Sequence, residues 1–192
     1  MKYLLINGHQ FYNTAKGKLN KSLYDVFVSE LSQKGEIMET IIEKGYNPAE
    51  EVEKHLNADV VITQMPVYWF GGPWIHKKYI DEVFNTGYGK LWLSDGRTRS
   101  NSDAQYGTGG GINKTKKFML SVTYNAPEEA FNNPNHHIFK GKSVMDVMST
   151  NFVYQFCGFE ILETFSCHDV IKAPDFEKYK SELVNHINKE LI

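Results

Sequence analysis

Cysteine is almost absent: 192 residues carry only Cys157 and Cys167, which form no Cys-x-x-Cys pair and cannot build a disulfide framework. Two buried thiols in a reducing compartment are expected. A surplus of positive charge is missing too. Twenty-one Lys and Arg stand against 23 Asp and Glu, a formal net charge of -2, which leaves no excess cation to neutralise a nucleic-acid backbone. No apolar run approaches membrane-spanning length. The chain opens at once on a strand-like Lys2-Tyr-Leu-Leu-Ile6 without a signal-peptide pattern, so a cytoplasmic protein with no membrane span is expected.

Familiar catalytic signatures are missing as well. Gly-x-Gly-x-x-Gly does not follow the first strand, Gly-x-Ser-x-Gly does not occur, and no carboxylate pair is placed for glycoside chemistry. The run from Gly107 to Thr115 puts Asn113, not glycine, before Lys114-Thr115, so it reads as a flexible loop and not a phosphate loop. Adjacent His136 and His137 lack metal-ligand spacing, and no metal is expected there. His76 and His186 lie beside polar neighbours on expected helix faces and read as surface residues. His168-Asp169 has no evident nucleophile. A chain this poor in acid–base machinery suits a reaction whose difficult chemistry belongs to a cofactor.

What is present is a regular alternation. Strands are expected at residues 3–6, 37–42, 60–64, 118–122 and 159–165. Helical spacing of apolar residues separates them, at 19–31, 48–55, 75–84 and 144–156, with a closing helix at 176–191. This is an α/β pattern, a three-layer sandwich with a five-stranded parallel sheet in one domain over residues 1–192. The second strand alternates with glutamates and is expected near an edge. Residues 86–115 hold seven glycines and no period, long for a plain loop.

Ligands of such sheets bind outside the carboxyl ends of the strands. Three loops reach that edge. In the first, Thr14, Lys16, Gly17 and Lys18 precede a helix in which Asn20 is a candidate cap and Ser22 adds a hydroxyl; a helix N-terminus favours phosphate. In the second, Pro66, Gly71, Gly72 and Pro73 break the chain around Tyr68, Trp69 and Phe70, presenting flat rings suited to a planar ligand. The third offers Thr123, Tyr124 and Asn125 for polar ring edges. Tyr106, an aromatic in the long glycine-rich loop, is a further candidate to lie across a ligand.

Several motifs occur together: Gln64-Met-Pro with Trp69 and Gly71-x-Pro-Trp74, then Lys77-Lys-Tyr-Ile-Asp-x-Val-Phe84, Ser94-Asp-Gly-Arg-Thr-Arg99 and Asn125-Ala-Pro127. With Phe156-Cys-Gly-Phe159 they resemble, over the full length, the flavodoxin-like NAD(P)H:quinone oxidoreductases of the MdaB subfamily. The resemblance implies FAD, NADPH or NADH as hydride donor, a homodimer with its site near the interface, and two-electron ping-pong transfer through flavin N5 to quinones. Carried over by position, Lys16, Gly17, Lys18, Leu19, Asn20 and Ser22 would surround the FAD phosphates. Val67, Tyr68, Trp69 and Phe70 would meet the isoalloxazine edge, with Thr123, Tyr124, Asn125 and Ala126 on its other side and Tyr106 in the cofactor shell. Members often carry Trp where this chain has Tyr124, so Tyr124 and Asn125 are the substrate-side candidates. An FMN or FAD azoreductase or nitroreductase, an FMN electron carrier, and a non-catalytic flavin-fold subunit of an ion-efflux system are the competing readings.

Overall fold

The computed structural model describes residues 1–97, 100, 105–107 and 110–191. Strands β1 (Lys2–Asn7), β2 (Glu36–Ile41), β3 (Val60–Pro66), β4 (Lys117–Thr123), β5 (Glu160–Ile161) and β6 (Phe165–Cys167) form one parallel sheet. The order is β2-β1-β3-β4-β5, with β6 also paired to β4. Around it pack α1 (Lys18–Ser32), α2 (Pro48–Asn57), α3 (Trp74–Thr86), α4 (Val144–Val147), α5 (Ser149–Phe156) and α6 (Phe176–Leu191). Among the described residues no helix is long and apolar enough to cross a membrane.

Period-two alternation divides the core. Tyr3, Leu5, Val60, Ile62 and Met119 join α1 and α6 on one face, while Leu4, Ile6, Val61, Met65, Phe118 and Leu120 join α2, α3 and α5 on the other. Strand β3 lies inside the sheet and is buried at all seven positions, as its β-branched run requires. The edge position expected for β2 is observed, with a part-exposed pattern. Helix α2 starts where Asn47 accepts from the N–H groups of Ala49 and Glu50, with Pro48 at its first position, a cap worth about 1 kcal/mol.

Two elements differ from the sequence expectation. The helix expected over 144–156 is two helices, because Met148 is extended (φ -97°, ψ 100°) and brings its sulfur to the Tyr124 hydroxyl at 3.0 Å. The fifth strand is likewise in two pieces. Phe118 pairs with Ile161 but Ser121 with Phe165, so the register offset grows by one residue across a bulge. Both breaks keep the apolar spacing, which is why the pattern hid them.

The order reverses between β1 and β3. From β1 the chain crosses to β2 on one side, and from β2 to β3 on the other, opening a crevice at the carboxyl ends of β1 and β3.

Candidate functional site

At the end of β3 the chain folds back within four residues. The Tyr68 N–H donates to the Gly71 carbonyl at 2.8 Å and the Gly71 N–H returns to Tyr68 at 3.1 Å. The two central residues, Trp69 (φ 49°) and Phe70 (φ 68°), both sit at positive φ, as in a type I′ turn. That turn favours Asn-Gly; a bulky aromatic there is strained by roughly 1–3 kcal/mol per residue. Trp69 is 95% exposed at the tip of this turn. The turn is anchored by the Val67 N–H on the Thr123 carbonyl (3.0 Å) and the Tyr68 hydroxyl on the Gln10 carbonyl (3.1 Å). Burial first, then Tyr12 and Glu43, push the Tyr68 phenol up to about 12, so it stays a donor.

The loop after β1 makes a matching turn. Tyr12 and Ala15 exchange backbone bonds of 3.2 and 2.9 Å, and the Tyr12 ring meets Tyr68 edge-on at 5.4 Å. His9 supports this loop from below, with Nε2 3.1 Å from the Ala15 carbonyl and Nδ1 3.8 Å from the Glu43 carboxylate. The same carboxylate accepts from the Phe11 N–H at 2.9 Å. Gly17 is required twice over: its φ is 74°, and a Cβ there would lie 2.5 Å from the His9 ring. Helix α1 then begins at Lys18 with no side-chain cap and no acidic residue in its first turn. Its amino end therefore offers backbone N–H groups and a partial positive charge to an anion.

The third loop is laced to the chain leaving β6. The Tyr124 N–H donates to Cys167 (2.8 Å), the Val170 N–H to Tyr124 (3.1 Å), and His168 Nδ1 to the Ala126 carbonyl (3.2 Å). Ser166 Oγ lies 3.0 Å from His168 Nε2, supplying the hydroxyl that His168 lacked in sequence. With a carbonyl and not a carboxylate behind it, the imidazole secures the 124–126 loop. Burial holds its pKa below the usual histidine value.

Between these loops lies a cleft of about 930 Å³, lined by Tyr12, Thr14, Val67, Tyr68, Trp69 and Asn125, with Ala15, Gly72, Pro73, Trp74 and Ile171 completing it. Its volume and its mixture of aromatic faces with a few polar groups are those of a small-molecule site. Five of the sequence candidates thus meet there: Thr14, Val67, Tyr68, Trp69 and Asn125. Phe70 turns edge-on to Phe139 at 6.2 Å. Thr123 and Ala126 serve through their carbonyls, which hold Val67 and His168.

Other candidates lie elsewhere. Lys16 and Lys18 are exposed beside the open end of α1, whereas Leu19 packs into the apolar layer under α1 and α6. Asn20 does not cap the helix. It is buried, donates from Nδ2 to Asn7 Oδ1 (2.9 Å) and accepts from Gln64 Nε2 (3.1 Å). Ser22 faces a groove between α1 and α6. Tyr124 is buried in the core, and burial pushes its phenol up to about 12.

Tyr106, 72% exposed, sits 5.7 Å from Phe156 and 5.7 Å from the Arg97 guanidinium. It lines a separate apolar pocket of about 330 Å³ with Trp92, Phe152 and Phe156. His76 is a correction: it is buried beneath the loops, its Cδ2 3.3 Å from a Cβ built on Gly8 and its Nδ1 3.2 Å from one on Gly72. The glycine-rich stretch is also more than a flexible loop. A Cβ on Gly110 or Gly111 would overlap the backbone of Ser94 or Cys157. Thr98, Arg99, Thr108 and Gly109 lie outside the described residues.

Sequence reasoning missed Asn7, Tyr12 and Ile171. Asn7 carried a signal in retrospect, as the polar last residue of an otherwise apolar strand.

A parallel sheet of order 2-1-3-4-5 with a cleft at its reversal point defines the flavodoxin-like class. A family model described as "Flavodoxin-like fold" matches residues 1–191. NADPH:quinone oxidoreductase MdaB of Haemophilus influenzae is 43% identical over 192 residues, 98% of each chain. The chain belongs to that flavodoxin-like family and to its MdaB subfamily. Among solved structures, a putative quinone reductase from Klebsiella pneumoniae matches with a TM-score of 0.76 at 23% identity, over 98% of this chain and 84% of that one. An FMN-dependent NADH-azoreductase from Bacillus anthracis in complex with FMN matches with a TM-score of 0.67 at 12% identity, over 98% and 97%. These two likenesses concern the fold.

Proposed function

We propose that the protein is an FAD-dependent NAD(P)H:quinone oxidoreductase, a single cytoplasmic flavin-binding domain over residues 1–192 that works as a homodimer. Its MdaB relative is named for NADPH:quinone oxidoreduction and covers nearly the same length. The observation that carries the reading is the strained Trp69-Phe70 turn facing the cleft between the first and third loops. Strain that the surroundings hold in place at a cleft is a mark of function.

The residues present fit a flavin. Trp69, Tyr68 and Tyr12 supply ring faces, Asn125 an amide for a polar ring edge, and the uncapped end of α1 with Gly17, Lys16 and Lys18 supplies donors for phosphate. When bound, FAD would take a hydride from NAD(P)H and return two electrons to a quinone, one substrate replacing the other in ping-pong order. The chain contributes orientation and exclusion of water. Val67 and Tyr68 hold the platform backbone, and His168 holds the opposing loop, so both walls are set before either substrate enters.

Tyr106 is exposed and lines a pocket that shares no residue with the cleft. In the homodimer reading it completes the partner's site, joined by the exposed Tyr88 and Phe152 around the aromatic pocket. FMN is the competing cofactor, since two of the structural neighbours are described with FMN. The longer, basic first loop favours the second phosphate of FAD. Turnover of menadione by NADPH and by NADH, with FAD or FMN added to flavin-free protein, tests the proposal. Activity restored best by FAD supports it. Restoration by FMN alone, with azo dyes preferred to quinones, would establish the azoreductase reading in its place.

A further inference from the structure

One row of polar side chains crosses the sheet where apolar residues would otherwise continue. Asn7 on β1 is in register with Gln64 on β3, and Gln64 with Ser121 on β4. All three therefore face the α1 side, where Asn20 descends onto them. All four are at least nine-tenths buried.

The hydrogen bonds have one direction. Ser121 Oγ donates to Gln64 Oε1 (2.6 Å), so the Gln64 NH2 turns to Asn20 Oδ1 (3.1 Å), and the Asn20 NH2 to Asn7 Oδ1 (2.9 Å). Asn7 Oδ1 also accepts from the His9 N–H at 3.1 Å. Both acceptor positions of Asn7 are thus filled, and its NH2 makes no hydrogen bond among the described residues. That nitrogen is at the last residue of β1, where the chain enters the loop to the uncapped end of α1.

We propose that Ser121, Gln64 and Asn20 form a directional positioning relay that fixes the Asn7 amide with its NH2 as a donor to the flavin phosphate at the amino end of α1. This rests on the flavin reading above. The chain is tied at both ends: the His9 backbone N–H, which can only donate, holds Asn7 Oδ1, and the Ser121 hydroxyl donates to Gln64 Oε1, so the carboxamides between them keep one sense and do not exchange oxygen for nitrogen. A reversed Asn7 would present its oxygen to an anion. A buried chain with no charge of its own can so impose a polarity on a site two strands away.

The test compares FAD with riboflavin, which carries the same ring and no phosphate, on the full chain. Ser121→Ala is expected to weaken FAD about tenfold while riboflavin changes less than about twofold. Thr63→Val is the control: its hydroxyl is just as buried but faces the opposite side of the sheet, with Val61 and Met65 and away from the amide row, so neither ligand should respond. In the wild-type protein the Asn7 side-chain NH2 resonance should shift with FAD and not with riboflavin. Should Ser121→Ala not fold, Asn20→Leu cuts the same chain one link nearer to Asn7. Equal losses for both ligands, no loss for FAD, or an Asn7 resonance indifferent to FAD would overturn the relay. A wild-type protein that binds neither ligand would overturn the flavin reading itself.

Discussion

Two buried polar clusters lie on opposite faces of the sheet, and they end differently. Under α2 and α3, Glu51 is 2% exposed and accepts from Thr40 Oγ1, the Tyr79 hydroxyl and Lys54 Nζ, each at 2.7 Å. His55 continues it, from the Glu51 carbonyl (2.8 Å) to the Tyr154 hydroxyl (3.1 Å). Burial and Glu51 drive the Tyr79 phenol far above its ordinary value, so it remains a donor. This cluster contains charge and closes on itself. The amide row under α1 contains no charge and ends at the last residue of β1, in an NH2 that makes no hydrogen bond among the described residues. A closed network holds helices to a sheet; an open one has a bond left to make.

The largest effect should come from breaking the closed cluster. Glu51→Leu removes the carboxylate on which the Thr40 and Tyr79 hydroxyls and Lys54 Nζ converge, and urea unfolding should register a loss of about 3–5 kcal/mol. Flavin affinity per folded molecule should not change. An equal fall in affinity would mean that the two faces are coupled.

The platform should respond in the opposite sense. Replacing Trp69-Phe70 by Asn-Gly relieves the positive-φ strain and should stabilise the fold by about 2 kcal/mol, while flavin binding weakens more than tenfold. Lower stability, or flavin affinity retained, would contradict a turn strained for binding.

Two buried histidines bear on pH. Burial lowers both His55 and His76 to about 4. The unfolded chain thus takes up their protons first, and stability present above about pH 6.5 is lost as pH falls toward 4, by up to about 1.4 kcal/mol per pH unit for each group. His76 Nε2 has no partner among the described residues, so His76→Leu should halve this slope at little cost at pH 7. Thermal melts at pH 7 and pH 5 would read it. An unchanged slope would show that His76 is not buried neutral.

The smallest stability effect belongs to Tyr106→Ala, expected within about 0.5 kcal/mol because the ring is so exposed. Its effect should appear in the quinone KM, as a contribution to the partner's cleft. A KM equal to the wild type's would remove Tyr106 from any site.

The sheet was legible because β-branched runs and helical spacing state burial directly, as in residues 60–64 and 19–31. The breaks at Met148 and after Ile161 were not, since a residue can leave a helix or ladder without disturbing the apolar period. At the cleft, Trp69 and Tyr68 were legible as rings no core face could absorb. Asn20 was misread because a helix-start asparagine ordinarily caps, and only the register of β1, β3 and β4 reveals its partners. His76 was misread because polar neighbours suggested solvent, whereas Gly8 and Gly72 leave room for an imidazole beneath them.

Flavin content after purification and exhaustive dialysis tests the central claim most directly. Wild-type protein should retain close to one FAD per chain by absorbance and chromatography, and Trp69→Ala should lose most of it. Protein that neither retains nor takes up FAD, or a Trp69→Ala variant with full occupancy, would contradict the account of this cleft.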